Sequence, residues 1–419
     1  MILDKYDSYK DSGLEWLGEI PSEWGVKRNK HIFTESSQLS STGNEMLLTV
    51  SHITGVTPRS EKNVNMFFAK TMEGYKICKK GDLIINTMWA WMGALGTSKH
   101  NGICSPAYNV YRANRFIDYH HSYFDYLFKI PNFIIEMTKN SKGIVQSRLR
   151  LYPTDFFKIE TVLPPLKTQT KIATYLDTQT QKIDKEIQLL EDKFLKYKEL
   201  KQTLINETVL RGLDKGVKFE TKRLKDILNL STGNSISNKE DYENNDIKVY
   251  PYIATKDINI NTNEINYKNG IYIPQNNNTF KILKKETIIL CIEGGSAGKK
   301  IGFTNQNICF VNKLCAFKSK NNLVNDKFVF YYIKSFLFKN QFFAEMSGLI
   351  GGVSIGLMKY FTISLPPLKD QVKISTYLDE KTQKIDNITK SLTRKITLLK
   401  EFRKTLINDV VTGKVKVCD

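Results

Sequence analysis

The chain has 419 residues, enough for two or three domains, and its 41% hydrophobic content with 23 Phe and 20 Tyr excludes a largely disordered polymer. Its 62 Lys and Arg against 43 Asp and Glu give a formal net charge of +19, which points to a polyanionic partner. No apolar run reaches the roughly 18–20 residues of a membrane span, so no membrane association is expected. The opening MILDKYDSYKDSG lacks a signal-peptide core, and the six cysteines form neither a CxxC pair nor a Cys/His cluster at zinc spacing, so a soluble cytoplasmic protein with reduced thiols and no bound metal is expected.

Along the chain, residues 1–23 carry two Lys and six acidic residues, net −4. Residues 24–162 are net +8 and alternate short β-rich runs, such as Leu83-Ile84-Ile85, with helical content near Tyr123–Thr138. The sequence LPPLKTQTKIATYLDTQTQKID, Leu163 to Asp184, then opens a long amphipathic segment. Apolar residues recur every seven positions at Leu176, Ile183, Leu190, Tyr197 and Leu204, with Ile187 and Phe194 at partner positions. Proline is tolerated in a first helical turn, so a helix is predicted from about Thr168, after Pro164-Pro165, to Leu210, ending near Gly212.

Residues 213–364 are again net +8. They match the first segment weakly: WGVKRNKHIF (Trp24 to Phe33) with FETKRLKDIL (Phe219 to Leu228), KGDLII with KKETII, Ile103-Cys104 with Ile308-Cys309, and YFDYLFK (from Tyr123) with FVFYYIK (from Phe328). A strand at Ile288-Ile289-Leu290 and helix near Phe328–Met346 follow. LPPLKDQVKISTYLDEKTQKID, Leu365 to Asp386, then repeats the first helical segment 202 residues later, with 25 of 44 aligned positions identical. Its stripe is Leu378, Ile385, Leu392, Leu399 and Leu406, with Ile396 and Val410 at partner positions.

A single apolar stripe is not stable alone in water, and a whole domain separates the copies, so they are expected to pack on each other antiparallel. The predicted architecture is α+β: two modules (1–162 and 213–364) separated by two long helices (163–212 and 365–419) that form an antiparallel coiled-coil-like spacer with internal pseudo-twofold repetition. Two equally basic modules on one spacer suit a reader of two half-sites. A coiled-coil scaffold whose basic modules bind protein or RNA is the alternative.

The twice-occurring LPPL…Q…KI…YLD…KID motif, the two variable segments and the opening DSGLEWLGEIPSEW (Asp11 to Trp24) resemble the specificity subunit of Type I restriction-modification systems. The resemblance covers nearly the whole chain. It implies that each variable segment is a target recognition domain for one half of a bipartite double-stranded DNA site. It further implies no catalysis by this chain and no cofactor bound to it. The partners implied are two methylation subunits using S-adenosylmethionine and two restriction subunits using ATP and Mg. The family's usual Glu-Gln after the double proline reads Thr168-Gln169 and Asp370-Gln371 here, and the second module lacks a Trp-Leu-Gly opening.

The residues themselves offer no catalytic constellation. Both Pro-Pro pairs sit in Leu-Pro-Pro-Leu and not in an adenine-methyltransferase tetrapeptide. The run Gly294 to Lys300 is one residue short of a phosphate loop and lacks the following Ser/Thr. His120-His121 is expected to be a surface pair with divergent side chains, and Asp155, Lys158 and Glu160 do not order as a nuclease motif.

DNA contacts are expected from glycine-punctuated loops after the matched strands, because glycine permits close backbone approach. In the first module this is Asn86 to Lys99, with Trp89, Trp91 and Lys99; the two Trp fit equally a core shared on one strand face. In the second it is Cys291 to Lys300, with Ser296, Lys299 and Lys300. A further cluster, Gln146, Arg148 and Arg150, suits adenine and guanine edges, or equally a solvated edge strand. Arg28 and Arg223, at matched positions, suit the phosphate backbone.

Overall fold

The computed structural model describes residues 4–62, 71–237, 249–346 and 351–417; Cys418 lies outside them. The chain forms two compact units, Met1–Leu189 with Lys395–Asp419, and Leu190–Arg394. The unit boundaries fall inside both long helices, Leu166–Arg211 (the central helix) and Leu368–Val411 (the C-terminal helix).

Each unit is built on a four-stranded antiparallel sheet. In the first the order is Phe33–Glu35, Tyr108–Ala113, Leu83–Asn86, Leu95–Thr97; in the second it is Leu228–Thr232, Leu314–Ser319, Ile288–Cys291, Ile301–Phe303. The short apolar runs become inner strands because both sheet faces are covered. Leu83 and Ile85 join the large helix-packed core of the first unit, while Ile84, one residue out of phase, packs with Leu48, Val50 and Val110 on the other face. Ile288 and Leu290 against Ile289 and Cys291 repeat the division in the second unit. The weakly matched decapeptides fold alike, each as strand, one helical turn and strand: Gly25–Arg28, Asn29–Ile32, Phe33–Glu35, and Glu220–Arg223, Leu224–Ile227, Leu228–Thr232.

Three local expectations are corrected. The helical stretches near Tyr123–Thr138 and Phe328–Met346 are each two helices, His121–Leu127 with Pro131–Lys139, and Asp326–Lys334 with Phe336–Ala344. Pro131 bars the residue before it from helical backbone, and Ser335 is extended, so each segment breaks. The imidazoles of His120 and His121 stack, 5.6 Å apart and nearly parallel, on half-buried residues, because the pair straddles a helix start where the backbone changes direction. The central helix starts at Leu166, earlier than predicted, since the Gln169 N–H already donates to Pro165 O.

The repeated motif is the means by which each helix holds its module. Fully buried Gln169 donates from Nε2 to Pro164 O (2.7 Å) and Asp118 O (3.1 Å), and its Oε1 accepts from the His120 N–H (2.9 Å). Gln371 does the same with Pro366 O (2.9 Å) and the Asn325 N–H (2.9 Å). The aspartate of the YLD tripeptide accepts from a tyrosine of the module: Tyr126 to Asp177 at 2.8 Å, Tyr331 to Asp379 at 2.6 Å, each hydroxyl also beside a threonine, Thr180 or Thr382. Burial first, then the carboxylate, raises both phenols well above their ordinary range and keeps them protonated donors.

The heptad stripes are the seam. Leu176, Ile183, Leu378, Ile385, Leu392 and Leu406 are buried; Leu190, Tyr197, Leu204 and Leu399 are half-buried. In the first unit Arg403 makes a bidentate pair with Asp184 (2.9 and 3.1 Å) and Lys395 pairs with Glu186 (2.8 Å); in the second Lys201 pairs with Asp386 (2.7 Å). Partners advance along one helix as they recede along the other, so the pairing is antiparallel within each unit. Residues 184 and 386, like 201 and 403, are copies of one another, so the two bridges are the same contact made twice. The C-terminal helix closes at Gly413, whose φ of +79° and tight fit against Pro21 and Trp24 exclude a side chain.

Lys334 sits on this seam beneath its module. Burial, and Lys201 second, pulls its ammonium down to about 7, although the rings of Phe330 and Tyr331 lie 4.9 and 5.7 Å away and return part of the desolvation cost. Between pH 7 and 10 the unfolded chain therefore binds more protons here than the folded one, so stability rises with pH across this window and is lost as pH falls toward 7. Lys334→Met is expected to flatten that slope in thermal melts at pH 7 and pH 9 and to raise the pH 7 transition.

Candidate nucleic-acid interface

The two loop clusters singled out in the first module adjoin. Leu151 N donates to Thr87 O (3.2 Å), bringing the segment after Arg150 onto the turn that carries Trp89. The second unit repeats the arrangement through Val353 N to Ile292 O (3.0 Å) and Gly294 N to Gly351 O (2.8 Å). In both units the loop after the inner strand and the loop before the repeat helix form one edge.

Trp89 and Trp91 do not share a strand face. After Asn86 the chain turns, with Trp89 N donating to Asn86 O, into a 3-10 turn at Ala90–Met92, and Gly93 at φ +82° reverses it against Ile134. Trp89 is 48% exposed, its ring stacked on His52 at 6.4 Å. Trp91 is half-buried and donates from Nε1 to Met88 O (3.1 Å). Lys99 is exposed just past the strand Leu95–Thr97.

Gln146, Arg148 and Arg150 are all exposed, but on a closed loop and not an edge strand. Lys142 and Arg150 exchange both backbone hydrogen bonds at 2.9 Å, and a 3-10 turn spans Gln146–Arg148. Gly143 lies so close to Arg148 O that a Cβ would stand 2.8 Å from it, which explains the glycine. Below the loop, Lys142 and Lys158 pair with Asp155 at 3.1 and 2.9 Å, and these charges, Lys158 first, lower its pKa.

In the second unit Lys299 donates to Gly295 O (3.2 Å) and Lys300 to Thr255 O (2.8 Å), so Lys300 braces its own module and does not reach outward. Gly298, at φ +71°, packs against Phe342, and the run forms a tight turn with half-exposed Ser296 at its centre. Arg28 and Arg223 occupy equivalent strand ends and stay exposed. Arg28 lies 3.5 Å from Glu160, and Arg223 lies over the Tyr360 ring at 5.9 Å.

Two exposed apolar features escaped sequence inspection: Ile53, 80% exposed in the turn between strands Leu48–Ser51 and Gly55–Pro58, and the tip Ile144-Val145. A Gly followed by two aliphatics among polar residues was the available signal for the second. Among the described residues no group of three or more His, Cys, Asp or Glu is placed to hold a metal, and no helix is long and apolar enough to cross a membrane.

Residues 216–398 match the family model described as the Type I restriction modification DNA specificity domain. The chain is 21% identical over 378 residues to the Type I restriction enzyme MjaVIII specificity subunit of Methanocaldococcus jannaschii, covering 84% of this chain and 83% of the relative. It is 22% identical to the MjaIX specificity subunit of the same organism, covering 96% and 95%. The chain belongs to the Type I specificity subunits.

The fold agrees with that family. A solved structure of a type I restriction-modification system aligns with a TM-score of 0.72 at 15% identity, covering 94% of this chain and 98% of that one. The HsdS subunit of Thermoanaerobacter tengcongensis aligns with a TM-score of 0.57 at 17% identity, with the same coverage. Such family members are DNA sequence-recognition components. The paired loops of each unit are the part of this chain whose chemistry suits that task, since they combine exposed amide, guanidinium and aromatic groups on a braced edge.

Proposed function

We propose that this chain is the non-catalytic, cytoplasmic specificity subunit of a Type I restriction-modification complex, in which the first module reads one half of a bipartite duplex site and the second reads the other. Residues 1–162 and 213–364 are the two recognition domains, and the helical segments 163–212 and 365–419 set the spacing between half-sites. Gln146, Arg148, Arg150 and Trp89 in the first module contact bases, with Lys99, Arg28 and Arg223 on phosphates; Ser296 and Lys299 act in the second. Two methylation subunits bring S-adenosylmethionine, and two restriction subunits bring ATP and Mg. The observation that supports this most directly is the duplicated Gln clamp, Tyr–Asp bond and paired-loop edge, which builds each unit to the same plan while the loop sequences differ.

Phosphate contacts by Lys and Arg supply salt-dependent affinity, while each good bidentate base contact discriminates by roughly 1–3 kcal/mol. Mapping methylated bases in the source genome should give a split motif. Exchanging residues 24–162 for the corresponding module of a relative should change one half of it and leave the other. A complex that methylates the same sites after the exchange would refute the proposal, and RNA competing as well as duplex in a gel shift would favour the scaffold alternative.

A further inference from the structure

The loop Lys142–Arg150 holds two aliphatic side chains in water with unusual care. Ile144 is fully exposed and Val145 is 49% exposed, on a loop closed by two backbone hydrogen bonds at its neck. Its interior is stiffened by Arg148 N to Val145 O (2.9 Å) and by the close approach of Gly143 to Arg148. The neck is anchored twice: Lys142 reaches Asp155, and Leu151 N reaches Thr87 O. A flexible loop would fold such residues back onto the protein, because apolar surface leaves water when the chain is free to move. Here the backbone prevents it.

What surrounds the tip identifies its occupant. Gln146, Arg148 and Arg150 follow it, all exposed, and Trp89 stands on the adjoining turn. An apolar point ringed by guanidinium groups fits a duplex, whose phosphates meet the cations while its stacked interior takes the aliphatic group. A protein partner would be expected to meet a broader apolar patch. The sequence order Gly143-Ile144-Val145 recurs as Gly348-Leu349-Ile350, residues that lie outside those described.

Resting on the proposed DNA-reading role, we infer that Ile144, supported by Val145, is a wedge that enters a base step of the first half-site, unstacks it and opens the duplex toward the base readers Gln146 and Arg148. The wedge makes part of the specificity indirect, since steps that unstack easily are preferred over stiff ones. It also separates roles within one loop: the tip deforms the site while the polar side chains read it.

The test uses the assembled methyltransferase complex and duplexes carrying its mapped site, with 2-aminopurine placed in turn at each step of the first half-site away from the methylated base. Wild type should raise the fluorescence at one step. The Ile144→Ser/Val145→Ser complex should lose that signal and bind roughly 10- to 100-fold more weakly, as expected when a few kcal/mol of unstacking is no longer offset. A mismatch placed at that step should restore most of the binding, a rescue that mere misfolding would not allow. Because the side chains are exposed, the thermal transition should not move. Equal affinity and equal fluorescence for wild type and variant would overturn the wedge while leaving the bipartite reader intact. Impaired binding to methylation subunits with DNA contacts unchanged would reassign the tip to a protein interface. Failure of wild type itself to prefer the bipartite duplex would instead overturn the proposed function.

Discussion

Gln371→Leu is expected to be among the most destabilising single substitutions in the second unit. The leucine is close in size to glutamine and the site is buried, so packing alone would not condemn it. The loss is polar. Without the amide, Pro366 O and the Asn325 N–H lose their partners in a place water does not reach, and each orphaned group costs about 1–3 kcal/mol. Asn325 is the N-cap of the helix Asp326–Lys334, whose buried face includes Phe328, Tyr331 and Tyr332, so the damage spreads to the docking of that helix. A total of about 2–4 kcal/mol, or roughly 5–15 °C in the transition of the second unit, should appear in calorimetry. Lys369→Ala, exposed two residues away, should change the same transition little. A Gln371→Leu transition within a degree or two of wild type would mean that the amide is not the clamp.

That clamp also explains which parts of the molecule could be read from the sequence. Gln169 and Gln371 are constrained by short-range partners, the carbonyl of the preceding double proline, together with one backbone group at a helix start. Whatever is fixed by such local chemistry leaves the same letters in both copies, and the long helices, the heptad seam and the inner strands were all visible for this reason. The residue before each glutamine takes no part in the amide's bonds, which is why Thr168 and Asp370 can differ. The loops obey other rules. The turn at Trp89 takes its form from Gly93 meeting Ile134 and from Leu151 bonding to Thr87, contacts made across long stretches of chain. Alternation of Trp89 and Trp91 suggested a shared strand face because nothing nearby in sequence announces those distant partners. Lys300 misled in the opposite way, since a lysine beside glycines suggested a phosphate ligand but its ammonium is held by Thr255 O. The candidate site was thus located by position, at the ends of matched strands, while the orientation of its side chains needed the fold.

The ruler role of the helices leads to the strongest test of function. The seam bonds Asp184 to Arg403 in one unit and Lys201 to Asp386 in the other, so an insertion in one helix alone would slide every later pair out of register. Four residues after Glu191 would do so and should abolish site-specific methylation. Inserting whole heptads at two equivalent positions, after Glu191 and after Thr393, keeps both stripes in phase. One added heptad in each helix lengthens the spacer by about 10 Å, roughly three base pairs. Three base pairs also turn one half-site by about 100° around the duplex, given about 10.5 base pairs per turn, so this variant should methylate neither the original site nor a simply lengthened one. Three added heptads give about 31 Å, close to one full turn, and bring the half-sites back toward the same face. That variant is expected to methylate the same two half-sites with a spacer about nine or ten base pairs longer, as seen by mapping methylated bases in cells carrying it. An unchanged spacer in the three-heptad variant would show that something other than the helix pair measures the distance. Loss of all methylation by a variant that still folds and assembles would point to partners that also span the two halves and resist the added length.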